Sequence, residues 1–239
     1  MAAQAAKTGE PIPVLNNKVR QKGRCARYMD MKGKVGCGCL IGILVVIMIV
    51  AGVSLHPVSL RFVGKSFRYE DKIVPADAIF VPRFGEDHNG ELYVEAFREY
   101  FSGNGKVVYI ENDKVLGTDI YNLVSRLAKS RGIKENVTKP LYAEDMEDGK
   151  TAFFKQKLKE AGLRKVIVVV PEYASRRYHN MYDPTRDGSA VLYMIKPAKV
   201  SYFRADRWWR DELSRSLMAH EFYASLLYYY SILRKEKAR

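Results

Sequence analysis

Lys165-Val166-Ile167-Val168-Val169-Val170 is the stretch whose reading decides the fold. Every residue after the lysine is β-branched, there is no polar alternation, and Pro171 ends the run within strand length. That pattern describes a strand covered on both faces, which belongs inside a parallel sheet with helices above and below it. Working outward toward the N-terminus, Asp148 to Ala161 reads as a helix ended by Gly162, and Val137 to Tyr142 as a strand. Before these come a helix from Thr118 to Ser130 that stops at Arg131-Gly132, a strand at Lys106-Val107-Val108-Tyr109-Ile110, a helix near Glu91 to Phe101, and a buried strand at Ala78-Ile79-Phe80-Val81. Continuous apolar runs alternating with helices predict an α/β fold, Rossmann-like and doubly wound, with a mostly parallel sheet. Toward the C-terminus a helix from Asp206 onward carries Trp209, Leu213, Leu217, His220, Ala224, Leu227 and Ser231 at spacings of three and four, with Glu221 beside that apolar stripe.

The region before the sheet is of another kind. From Gly36 to Leu55 there are 20 residues without a charge, enough helix at about 1.5 Å per residue to cross a hydrocarbon core of roughly 30 Å. Seven Lys/Arg lie within the 20 residues before this segment and four within the 20 after it, so the positive-inside rule puts the N-terminus in the cytoplasm. A cleaved signal peptide is the competing reading, with Ala51-Gly52-Val53-Ser54 as a weak exit site. The expected organisation is a basic cytoplasmic tail over residues 1–35, a transmembrane helix over 36–55, a stalk over 56–75, the α/β domain over 76–233 and a basic tail over 234–239.

Charge and cysteine usage limit the function classes. The net charge of +13 is uneven, since residues 1–38 hold eight Lys/Arg against two acids. With no zinc-finger spacing, no Gly/aromatic RNA-binding signature and no basic helix running into heptads, no nucleic-acid partner is expected. The cysteines, Cys25, Cys37 and Cys39, all precede or open the apolar run, so the domain after it can form no disulfide.

In a sheet of this kind the ligand crevice lies beyond the carboxyl ends of the strands. Polar residues at such ends are Arg83, Asp113, Asp145, Asp148, Glu172, Arg176 and Arg177, and for most of them a solvated loop charge is an equal reading. Arg176 and Arg177 are the sharpest, because they follow the decisive strand and open a predicted helix, where guanidinium and free backbone N–H groups can hold a phosphate or carboxylate together. His88, His179 and His220 lack partners at metal spacing, so no metal site is expected. There is no Gly-x-Ser-x-Gly elbow, no Walker loop and no full Gly-x-Gly-x-x-Gly. The pairs and triplets Trp208-Trp209 and Tyr228-Tyr229-Tyr230 have two readings, interfacial rings on a bilayer or core packing, with core packing the expected one.

From about Asp77 to Tyr230 the chain resembles the domain of unknown function 218 family, the SanA/ElyC/YdcF-like group of bacterial envelope proteins. The resemblance rests on Asp77-Ala78-Ile79-Phe80-Val81, on Val168 to Arg177, and on Trp208-Trp209 followed by Glu221 and the run Leu226-Leu227-Tyr228-Tyr229. Departures are also visible. Pro82-Arg83-Phe84-Gly85 replaces the family's Gly-Gly loop, Asp145, Asp148 and Thr151 stand for its Glu-x-x-Ser-x-x-Thr stretch, and Ala174 replaces its histidine.

What the resemblance implies is a divergent member in the bacterial inner membrane, with its domain in the periplasm and a role in cell-wall biogenesis or carrier-lipid homeostasis. Arg83, Thr151, Arg176 and Arg177 are then the expected ligand-binding residues for a small anionic, phosphate- or nucleotide-like group. Asp145, Asp148 and Glu221 are the acid/base candidates should the domain be an enzyme acting on a phosphorylated or lipid-linked precursor. A scaffold without ligand is the third reading, and no cofactor is specified by any motif.

Overall fold

The computed structural model describes residues 41–115, 118–143, 149–187 and 190–237. The chain forms two compact units, one ending at Leu55 and the other running from His56 to the C-terminus. In the first, helix α1 spans Ile41–Ser54 with its apolar side chains exposed. Residues 36–40 of the expected membrane span lie outside the described residues, and among the described residues no single helix is long and apolar enough to cross a membrane.

The second unit is built on five parallel strands: β1 (Ala78–Val81), β2 (Val108–Asn112), β3 (Thr138–Tyr142), β4 (Lys165–Pro171) and β5 (Leu192–Ala198). Their order across the sheet is β3-β2-β1-β4-β5. Register is fixed by pairs such as Ile79 with Val108 and with Ile167, and Val168 with Ile195. The chain therefore starts in the middle, winds outward through β2 to β3, and returns to β4 on the other side of β1. That return is the topological switch where such sheets open a crevice.

Side chains alternate across the sheet as strand geometry requires. Ile79, Val81, Val108, Ile110, Ile167 and Val169 point to one face, where α3 (Glu91–Phe101) and α4 (Ile120–Ser130) cover them together with Leu217 and Met218 of the last helix. Ala78, Phe80, Tyr109, Val166, Val168 and Val170 point to the other, under α5 (Lys150–Glu160) and α6 (Ser175–Tyr182). Both layers are closed, so β1 and the run from Val166 through Pro171 of β4 are buried throughout, as the decisive stretch predicts. A short helix α7 (Pro184–Asp187) and the long α8 (Glu212–Lys237) complete the unit.

Three expectations are corrected. Residues 56–75, read as a stalk, pack onto the domain through helix α2 (Pro57–Ser66) and the extended chain after it. Gly64 of α2 is buried against Trp208, whose indole Nε1 donates to the Leu60 carbonyl at 2.7 Å, and Asp71 bonds both backbone groups of Ile195 on the edge strand β5. A Cβ at position 64 would meet Trp208 Cδ1 at 2.7 Å, so only glycine lets the helix lie this close.

The second correction is rotational. On α8 the inward stripe is Ser214, Leu217, Met218 and Glu221, continuing through Ser225 and Tyr228, one residue further round than hydropathy suggests. Leu213 and Leu227 face outward, and Glu221 sits at the centre of the buried stripe because it has an ionic partner there, described below. The third is that Tyr229 and Tyr230 are exposed and are not core residues, whereas Trp208 is packed.

Candidate functional site

The carboxyl ends of β1 and β2 carry a compact charge network. Glu111, the fourth residue of β2, is almost fully buried and accepts the Arg83 backbone N–H at 2.8 Å on one oxygen, while Lys150 of α5 stands 3.7 Å from the other. The Arg83 guanidinium pairs with Asp113. Two cations and two anions thus balance at this end of the sheet. Thr151 follows Lys150 in the first turn of α5 and is half-buried. Asp145 and Asp148 lie outside the described residues.

The loop after β1 ends in Gly90, whose φ of 68° suits glycine, and leads into α3. In sheets of this type that helix N-terminus is a phosphate cradle. Here Asp87 fills it: its two carboxylate oxygens accept the N–H groups of Glu91 at 2.8 Å and Leu92 at 3.0 Å. Burial pushes the Asp87 carboxyl above its ordinary value even though these bonds and that of Gly90 favour its ionised form. A cavity of about 370 Å³ adjoins the loop, with Arg83, Asp87 and His88 at its polar side and Ile120, Leu123 and Leu127 at its apolar side.

The helix that follows β4 is occupied in a similar way. Arg176 donates its backbone N–H to the Phe67 carbonyl at 3.1 Å and its side chain to the carbonyls of Ser66 and Arg68, so the segment behind α2 takes the donors expected to hold an anion. Ser175, fully buried, accepts Tyr69 N–H at 2.8 Å and donates to the Glu172 carbonyl at 2.9 Å. Ala174 is fully buried in the core. Burial holds the half-buried Glu172 carboxyl above its ordinary range.

Arg177 crosses from α6 to α8. Its Nε and one terminal nitrogen meet the two oxygens of Glu221 at 2.7 and 2.9 Å, a bidentate fork on a carboxylate that is 1% exposed. The other terminal nitrogen, Nη1, donates to the weak acceptor Sδ of Met181 at 3.5 Å, and the guanidinium lies 5.1 Å from the Tyr178 ring centre. Burial opposes the charge of Arg177, but the hydrogen bonds and charge of Glu221 win and raise its pKa. Beside this pair a cavity of about 420 Å³ is lined by Phe67, Arg176, Arg177, Asn180, Tyr228 and Tyr229. Asn180 donates to the Tyr229 hydroxyl at 3.0 Å and accepts the Tyr228 hydroxyl on its carbonyl at 2.6 Å.

The structure therefore places Arg177 and Glu221 together, and Arg83 with Glu111 and Asp113 in a separate cluster. Glu111 and Asp87 were missed by sequence reasoning. Ending the second strand at Ile110 moved Glu111 into a loop, although an acid within a run that stays on a strand is the signal that finds it. The hydroxyls of Tyr173 and Tyr202 are also buried, near each other, without a hydrogen bond of standard geometry. Among the described residues no three His, Cys, Asp or Glu side chains converge as metal ligands. Comparison with known protein families, with curated proteins and with solved structures finds no match.

Proposed function

We propose that this chain is a membrane-anchored protein of the bacterial envelope whose α/β domain binds a small anionic, phosphate- or nucleotide-like group, in the service of cell-envelope or carrier-lipid homeostasis. The anchor reading rests on the uncharged segment Gly36 to Leu55 and its basic flank, and the envelope setting on the resemblance of the motifs quoted above. The observation that carries the binding reading is the cavity of about 420 Å³ beside Arg176 and Arg177, a volume in the range of small-molecule sites. Its wall combines guanidinium edges, an amide and phenol hydroxyls with the Phe67 ring, the mixture that fixes a polar group and covers an apolar one.

The scaffold reading draws on a specific observation too, because Arg83, Arg177 and the α3 N-terminus are each matched by a carboxylate of the same chain. Thermal unfolding of the full chain in detergent, with inorganic phosphate, a nucleoside diphosphate or a short polyprenyl phosphate added, separates the two. At a ligand concentration 100 times Kd the folded state gains about 2.7 kcal/mol, and the gain should vanish in Asn180→Trp, which puts a bulky ring into the cavity and leaves both members of the Arg177–Glu221 pair in place. If none of the three stabilises the wild-type chain, the scaffold reading takes over.

A further inference from the structure

We propose that α2 and the C-terminal half of α8 form one docking surface that seats the domain on an anionic lipid bilayer. The outward stripe of α2 is Val58, Arg61, Phe62 and Lys65, at the spacing of one helical face, and Phe62 is 74% exposed. On α8, Phe222, Tyr223, Leu226, Tyr230 and Leu233 are likewise turned outward, with Leu226 at 66%. The Phe67 ring, just beyond the end of α2, meets the Phe222 ring of α8 edge to face with centres 4.6 Å apart, which brings the end of α2 to the start of the α8 stripe.

A contiguous apolar patch on a folded domain marks an interaction surface. Its composition selects lipid. Tyrosine rings are at home where one end is apolar and the other wet, and α8 shows two of them, Tyr223 and Tyr230, among aliphatic side chains. Arg61 and Lys65 share their stripe with Val58 and Phe62, so their stems can lie along acyl chains while the cations reach lipid phosphates. α2 contains no acid, and α8 has none between Phe222 and Lys235.

Chain length points the same way, and here the proposal rests on the anchor reading. Leu55 and His56 alone separate α1 from α2, a reach of about 10 Å even when extended. An embedded α1 would thus hold the start of α2 within that reach of the bilayer.

The test uses the full chain with Cys25, Cys37 and Cys39 changed to Ser and one reporter cysteine at Phe62, Leu226 or Leu123, all exposed positions, the last on α4. Each is labelled with an environment-sensitive dye in vesicles of phosphatidylcholine with phosphatidylglycerol and spin-labelled lipid. Phe62→Cys and Leu226→Cys should give blue-shifted emission quenched several-fold by the spin label, with Leu123→Cys reading water. Arg61→Glu with Lys65→Glu should lower that quenching. Water-like, unquenched emission at Phe62 and Leu226 overturns the proposal, as does self-quenching between two copies in place of lipid quenching. Alkaline extraction reports on the anchor separately: a chain that resists extraction while Leu226 reads water keeps its anchor and loses this surface.

Discussion

The Arg177–Glu221 pair sets the sharpest expectation. Glu221 is 1% exposed and both of its oxygens are taken by one guanidinium at 2.7 and 2.9 Å, with Ser225 Oγ 3.4 Å from the first. Glu221→Gln keeps the shape but removes the charge, and turns an amide N–H toward the donors of Arg177. Orphaning a buried charge typically costs about 3 to 5 kcal/mol. In a domain of this size each kcal/mol moves Tm by about 2 to 4 °C, so the midpoint should fall by about 6 to 20 °C. Removing both charges, as Arg177→Met with Glu221→Leu, should cost far less than the two single changes together, since an apolar replacement of a buried pair is often neutral or better. The assay is a double-mutant cycle by calorimetry at neutral pH. A loss under about 1 kcal/mol for Glu221→Gln, or additive single effects, would refute the reasoning, because either outcome means that the pair is not closed in solution.

Three further outcomes follow from the same geometry. Asp87→Ala should lower stability by about 0.5 to 2 kcal/mol in urea titration, since it exposes the first N–H groups of α3, and Asp87→Ser should recover most of that loss. Gly64→Ala should cost about 1 to 3 kcal/mol and shift Trp208 fluorescence, because the new methyl strikes the Ala205 carbonyl and the indole. Glu172 has its pKa raised by burial, so its contribution is fully present below the ordinary glutamate pKa and is lost as pH rises through the raised value. Glu172→Gln should accordingly match the wild type near pH 4 and be the more stable of the two near pH 8 in paired thermal melts.

The fold was legible wherever burial on both faces forced the composition. Ala78–Val81 and Glu91–Phe101 are found where the apolar runs place them, and β4 gains only Pro171. β5 was not legible, because Lys196 and Pro197 interrupt the apolar run of Leu192–Ala198, and the sequence reading assigns no element there. They are tolerated since β5 is an edge: its free side meets Asp71, and Lys196 lies 3.3 Å from Glu99 and 3.5 Å from Glu70. The helix predicted from Asp206 starts at Glu212, because Asp211 caps it by accepting Ser214 N–H at 2.8 Å while Trp208 is held in the preceding turns by Leu60. A wheel built on hydropathy could not orient α8, whose inward stripe is centred on a carboxylate.

The site was less legible, because sequence supplies charges and only the fold pairs them. Arg83 finds Asp113, Arg177 finds Glu221 across 44 positions, and Arg176 turns back to Ser66 across 110. Each pairing consumes a donor that the sequence offers to an anion. What the fold leaves at the cavity beside α6 is an Arg177 guanidinium already neutralised on two of its nitrogens, an Arg176 guanidinium bonded to backbone carbonyls, and an amide and phenols bonded to one another. A ligand entering there is held by shape, hydrogen bonds and ring contact, with the Arg176 guanidinium, bonded to neutral carbonyls, as the cation that draws it in. Binding measured between about 50 and 500 mM salt should then change by only a few-fold, since the matched pair presents a weak field beyond a Debye length of about 10 Å and Arg176 alone is left to attract an anion. A steep loss of affinity over that range would mean that Glu221 yields Arg177 to the ligand, and the same titration on Glu221→Gln, in which the guanidinium has no competitor, would then bind more tightly at every salt concentration.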